Sequence, residues 1–407
     1  MRPFLTVWLA WLLVMAGANL ATPLYAVYAD RFHFSSLVLT TIFATYAVVL
    51  VPALVVFGRL SDRLGRQAVV VLGLVAAVAG LAVFAAAQGA VWLYAARALQ
   101  GLAVGMISGA ATAALVELDP EDDRRRASLF AGLAQSGGSA AGPLLAGVLV
   151  QWGPAPRQLS YVAVLVATVL AGILVLRLPD RVEAVGEPWR VQVPRVPREL
   201  LGAFVRVSLT AGVVWATLAL FLSVVPSYAA DLLDTKNVAL LATLAALSVV
   251  ASSAAQVAAR RFVGSGRPPQ AIGLATLAVG LGVLVAASPA HSLVLLAFGS
   301  LAAGAGHGLA FINAQQELNE LAPSERRGEV TAAFVACIYF LVATSVIAVG
   351  LLDEVSSLAV ALALVAAVLV VLALATSVWQ LVPSNVGSRH VRCQARRRNS
   401  NISSTGG

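Results

Sequence analysis

From Phe4 to Tyr28 the chain runs without a single charged side chain, and runs of this kind recur almost to its end. About 20 apolar residues cross a bilayer as a helix, and in lipid only a helix or a closed barrel satisfies its own backbone. A soluble domain carries about 25% charged residues; this chain carries 11%, against 60% hydrophobic. Aromatics make up only 7%, so the apolar excess is Ala, Val and Leu. The fold class these facts imply is an all-α membrane protein with many spans. The first run is longer than the roughly 7–15 residues of a secretory signal's apolar region, so it is expected to remain as a span. Cys337 lies in an apolar run and Cys393 in a polar one, which argues against a structural disulfide.

Twelve transmembrane helices can be laid out, at about 4–28, 37–57, 67–87, 91–115, 127–151, 159–178, 207–228, 238–258, 270–288, 292–316, 330–352 and 358–379. The net charge of +8 could suggest a nucleic-acid partner, but its distribution points elsewhere. If both termini lie on one side, that side receives every arginine cluster, from Arg59, Arg63 and Arg66 to Arg396, Arg397 and Arg398. Of the 27 Lys and Arg residues only Arg31, Arg157 and Lys236 fall opposite, and Arg97 alone falls within a span. Such residues favour cytoplasmic loops. The expectation is a multi-pass protein of the cytoplasmic (inner) membrane with both termini cytoplasmic, and no nucleic acid as partner.

The two halves repeat. "GLAVG" at 101–105 matches "GAGHG" at 304–308, and "ELDPEDDRRR" at 117–126 matches "ELAPSERR" at 320–327. Glu117 pairs with Glu320 and Pro120 with Pro323 at the same displacement. The reading is an N-terminal six-helix bundle at 1–178, a cytoplasmic linker at 179–206, a C-terminal six-helix bundle at 207–379 and a disordered cytoplasmic tail at 380–407. Parallel six-helix repeats are a transporter architecture, with the substrate site near the midplane between them.

Three motifs stand out. In "GRLSDRLGR" (58–66), Gly58 and Gly65 suit tight turns. Asp62 is placed to cap a helix N-terminus, and Arg63 and Arg66 anchor the inner face. In "RALQGLAVG" (97–105), Arg97 is a costly group to bury and so a functional candidate. In "GSAAGPLLAG" (138–147), Gly138, Gly142 and Gly147 have spacing that lets helices approach closely, and Pro143 can bend the helix. Each has a plainer reading: an anchor only, a side chain that snorkels to the nearby interface, and ordinary close packing.

In their order and placement these motifs resemble the major facilitator superfamily, in particular its 12-helix drug–proton antiporter type. The resemblance implies the two-bundle fold and secondary active transport by alternating access. It further implies proton-coupled efflux of small amphipathic compounds, the span-5 motif being the pointer to export. Proton-coupled uptake of a metabolite is the alternative. The resemblance also implies that Asp62 meets the start of span 11 near Glu329 and helps lock one state. A cavity lined by spans 1, 4, 7 and 10 would then draw on Asn19, Thr22, Tyr25, Met106, Trp215 and Asn313. Arg97 with Gln100, His307 and Asp30 are the coupling candidates. A lone histidine in "GAGHGLAF" is equally readable as a packed one.

Proton coupling is carried here by resemblance alone, because every acid maps to a loop or a span end and span 1 offers Asn19 where a titrating group would serve. The second half also departs from the pattern: "RRFVGSGRPPQ" (260–270) has no acid in the place of Asp62. A membrane enzyme is the rival of another class, since "DPEDD" (119–123) resembles metal-binding acid runs. Such enzymes need a facing acid cluster, and "APSERR" offers one glutamate. A sensor is the other remote possibility. No catalytic or metal-binding residue and no cofactor beyond the proton gradient is expected, and the working unit is expected to be a monomer with a small-molecule substrate in a lipid bilayer.

Overall fold

The computed structural model describes residues 2–121, 123–178, 195–259, 268–323 and 326–382. Among these, twelve helices are long and apolar enough to cross a membrane, the number read from the sequence. Spans 2 to 6 are Ser36–Leu64, Arg66–Ala85, Ala90–Leu118, Arg124–Trp152 and Leu159–Leu176. Spans 8 to 12 are Val238–Ala259, Pro268–Ala290, Leu293–Leu321, Arg327–Asp353 and Leu358–Leu381.

Spans 1 and 7 are each broken. Span 1 runs as a helix over Arg2–Asn19, passes through one tight turn at Thr22–Leu24 and resumes over Tyr25–Phe32. Pro23 is the cause: it has no N–H to give the carbonyl four residues back, and its ring crowds that turn. Span 7 runs over Leu201–Ser223 and resumes over Val225–Leu232, with Pro226 at the restart. Pro23 and Tyr25 are displaced from Pro226 and Tyr228 by the same interval as the glycine repeat, so the break is itself a repeated feature. Pro143, by contrast, sits inside the unbroken helix Arg124–Trp152.

Four boundaries differ from the sequence reading. Span 7 begins at Leu201, which places Arg206 inside a helix and not in the linker expected at 179–206. Span 12 continues to Leu381, past the expected start of the tail at 380. Span 10 extends to Leu321, so Glu317 is helical. "GRLSDRLGR" is mostly not a loop: span 2 continues to Leu64, and only Gly65, at φ 88°, makes the turn into span 3. Leu and Arg are good helix formers, and they carry the helix through Gly58. The side chains of Gly58, Arg59 and Asp62 lie outside the described residues, as do residues 179–194 of the linker and 383–407 of the tail.

Packing repeats between the halves. Span 4 packs on spans 2 and 3 as span 10 packs on spans 8 and 9. Span 1 packs on span 5 as span 7 packs on span 11. The glycines explain the closeness. Gly101 and Gly105 press span 4 against the span-2 backbone at Tyr46 and Leu50, and Gly304 and Gly308 press span 10 against Ser248 and Ser252 of span 8. None of the four leaves room for a Cβ. Across the halves, span 2 packs on span 11 and span 5 on span 8. Gly350 meets Leu37 and Thr40 in the first seam, and Gly147 meets Ala239 and Ala242 in the second. These contacts lie toward the side away from the arginines. Gln151 there also accepts from the Val238 N–H at 2.9 Å.

On the arginine-rich side, Asp119 accepts the N–H groups of Glu121 and Asp123, at 2.9 and 3.4 Å, just before span 5. Its second oxygen faces Arg126 at 3.8 Å. Asp119 is thus used to start a helix.

Candidate functional site

The break in span 1 creates a site. A helix interrupted after Asn19 has carbonyls at its end that no further turn covers. Arg97, on span 4, reaches them: its Nη1 donates to the Ala18 carbonyl at 2.9 Å and to Gln100 Oε1 at 2.9 Å. Gln100 Nε2 donates to the Gly17 carbonyl at 2.8 Å. Nη2 donates to the Phe43 carbonyl of span 2 at 3.4 Å. The guanidinium carbon lies 5.0 Å from the Phe43 ring centroid and 4.6 Å from that of Tyr46. Contacts of that kind favour a desolvated cation.

Arg97 is only 3% exposed, so it does not snorkel to the interface. A buried cation normally takes an anionic partner. Among the described residues no carboxylate lies within ion-pair distance of Arg97. Its compensation comes instead from neutral carbonyls, ring faces and the negative end of the first helical piece, worth about half an elementary charge. Among the described residues two buried polar atoms here have no partner, Arg97 Nε and the hydroxyl of Tyr25. The Tyr25 ring packs edge-on against Phe43, and its hydroxyl lies within electrostatic reach of Arg97.

The second half builds a different cluster. His307, on span 10, is 2% exposed. Its ring packs between Trp215 of span 7, edge-on at 5.2 Å, and Phe311, stacked at 5.6 Å. Its Nδ1 lies 2.7 Å from Ser252 Oγ, which also accepts from Gln256 Nε2 at 3.2 Å. His307 Nε2 is buried and has no hydrogen-bond partner among the described residues.

The structure therefore brings Arg97, Gln100 and Tyr25 together in one cluster and His307 with Trp215 in another. It separates the rest. Asn19 donates to its own helix at Met15 and to Ser139 of span 5, at 2.9 and 3.3 Å. Thr22 is buried in the turn. Met106 packs in the apolar core of the first half. Asn313 donates back to the Leu309 carbonyl of its own helix. Asp30 is exposed at the end of span 1 away from the arginines. Of the span-5 motif, Gly138 and Gly142 press on span 1 at Leu12, Met15 and Ala16, and Gly147 presses on span 8. In the opening motif Arg66 pairs with Glu117 at 3.2 Å and donates to Ser61 Oγ at 2.7 Å.

One cluster is not assembled by the sequence reading, which singles out Glu317 only as an acid near an inner span end. Arg206 is 3% exposed and pairs with Glu317 of span 10. It also donates to Gln380 of span 12. Gln270 of span 9 donates to the second Glu317 oxygen at 2.7 Å, and Gln380 donates to Gln270 and Thr210 at 2.9 and 2.8 Å. Four spans of the second half meet there. One usable signal was available: Gln270 repeats Gln67, which itself ties span 3 to the end of span 6 through the Val175 and Leu178 carbonyls.

Comparison with known proteins agrees with this architecture. The family model of the Major Facilitator Superfamily matches residues 7–346. A curated relative, the tetracycline resistance protein, class E, of Escherichia coli, is 34% identical over 111 residues. That match spans 27% of this chain and 26% of the relative's length. Among solved structures, the nucleoside transporter NupG aligns with a TM-score of 0.75 at 12% identity, covering 94% of this chain and 100% of that one. A D-xylose–proton symporter aligns at 0.73 and 17% identity, covering 93% and 97%. At such identities the likeness to both is one of fold.

Proposed function

The chain belongs to the major facilitator superfamily, and on that premise we propose that it exports small amphipathic compounds in exchange for protons, by alternating access. The two six-helix halves are the moving bodies. The arginine-rich face is the cytoplasmic one, the inner membrane is the location, and one chain is the working unit. Arg97 with Gln100 is the polar centre on the first half's wall, and His307 with Trp215 the aromatic centre on the second. Asp62, in the last turn of span 2, acts as a lock on one state.

The observation that carries export over uptake is the use made of the span-5 motif. Gly138 and Gly142 seat span 5 directly on span 1, beside the break that holds Arg97, while Gly147 seats the same helix on span 8 of the other half. Small residues on both sides let the helix approach its two neighbours closely, and this is the motif whose resemblance points to export. The partial likeness to a tetracycline resistance protein supports the same direction.

Purified protein in proteoliposomes tests this. With an imposed pH gradient, tetracycline and a panel of amphipathic compounds should move toward the acidic compartment, and collapse of the gradient should stop them. Flux indifferent to the gradient overturns the proton-coupled reading. Accumulation in the same direction as the protons replaces export by uptake.

A further inference from the structure

Arg97 is held in a way that leaves its charge incompletely answered. Its hydrogen-bond partners are the carbonyls of Ala18 and Phe43 and the amide oxygen of Gln100, all neutral. The helix end they belong to supplies about half a negative charge at most. The Phe43 and Tyr46 ring faces answer the rest only in part, and a buried guanidinium is stabilised further when an anion joins it. The geometry also keeps donors in reserve: among the described residues Arg97 Nε is buried and unpartnered, and so is the Tyr25 hydroxyl within its electrostatic reach. Asn19, the polar residue that ends the helical piece, donates to Met15 and Ser139 and takes no part in this cluster.

We propose that the missing negative charge is brought by the cargo: the Arg97–Tyr25 cluster is an anion site that takes the carboxylate of an amphipathic organic monoanion. One carboxylate oxygen accepts from Arg97 Nε and the other from the Tyr25 hydroxyl. Such charge-assisted bonds are about twice as strong as neutral ones. The aromatic surround also excludes water, which strengthens them further. The proposal deepens the transporter reading and rests on it for the word cargo, but the site itself is a matter of binding.

Binding is therefore measured without flux. The full chain in detergent is melted by tryptophan fluorescence against increasing benzoate, benzamide or sodium chloride. Benzoate should raise the melting temperature in a saturable way. Benzamide, the same shape without the charge, should bind at least about tenfold more weakly. Chloride should neither reproduce the shift nor compete with it. Arg97→Gln should abolish the benzoate shift, Arg97→Lys should retain part of it, and Tyr25→Phe should weaken it. Equal shifts from benzoate and benzamide overturn the proposal using wild-type protein alone, so a variant that fails to fold does not decide the matter. Competition by chloride makes the site an inorganic-anion site and overturns the carboxylate assignment. If benzoate binds as stated and no compound is transported, the transporter reading fails and the site stands. If neutral compounds are exported and benzoate does not bind, the reverse holds.

Discussion

Removing Glu317 should damage the second half more than its position near a span end suggests. Arg206 is nearly inaccessible, and among the described residues Glu317 is the acid paired with it, the side chains being 4% and 19% exposed. Deleting one member of a buried pair leaves an uncompensated charge and costs about 3–5 kcal/mol. The residual exposure of Glu317 places Glu317→Ala toward the lower end, near ~3 kcal/mol. Gln270 and Gln380 then hold hydrogen bonds to a partner that is gone or misplaced. For a chain of 407 residues each kcal/mol corresponds to roughly 1 °C in melting temperature. Glu317→Ala and Arg206→Met should each melt about 3 °C lower in detergent, while the double variant, with no charge left to bury, should melt above either single one and closer to wild type. The assay is thermal unfolding followed by tryptophan fluorescence. If the two single losses simply add in the double variant, the residues act independently and the buried network has no energetic meaning.

Span 5 offers an internal control on the packing argument. Gly132 has open space where a Cβ would go and Gly142 meets the Ala16 carbonyl. Gly132→Ala should stabilise by up to about 1 kcal/mol through helix propensity, whereas Gly142→Ala should destabilise by about 1–3 kcal/mol through overpacking; melting curves of the two variants read both. The three carboxylates at the end of the molecule away from the arginines give a pH signature. Asp231 has its carboxyl raised above the ordinary 3.8, first by desolvation and then by Asp353 and Asp30. A raised acid disfavours the folded state when charged, so the strain is full above the raised value and absent below 3.8. Asp231→Asn should therefore be more stable than wild type at neutral pH, by a small margin since Asp231 keeps solvent contact, and the difference should close as pH falls toward 3.8. A gain that persists in acid would contradict this sign.

Which parts of the fold could be read in advance follows from where their causes lie. The twelve spans are a property of local composition, and Pro23 inside an apolar run announces a break by its chemistry alone. The glycine pairs at 101, 105, 304 and 308 were visible because the repeat carries them, and each proved to press two helices together. The start of span 7 was not visible. Arg206 looks like a terminator by its charge, and only Glu317, far along the chain on span 10, makes it tolerable inside a helix. Gly58 misled for the opposite reason: glycine is permissive, and helix-favouring neighbours carried the helix through it to Leu64. The Arg97 site was half legible. The cation itself was conspicuous, but its partners are the carbonyls of Ala18 and Phe43, and a backbone acceptor leaves no mark in a sequence.

The account turns on two halves that rock against each other along the span 2–11 and span 5–8 seams. The most direct test is a pair of electron-spin distances in lipid nanodiscs, with native cysteines replaced. One pair spans the closed end of the second seam, Gln151→Cys with Asn237→Cys, where Gln151 meets the Val238 N–H. The other spans its opposite end, Leu133→Cys with Val257→Cys, both exposed on spans 5 and 8. Between acidic and neutral pH, and on addition of tetracycline, the two distances should shift in opposite senses, one end opening as the other closes. Distances that stay fixed, or that lengthen and shorten together, would contradict alternating access in this chain.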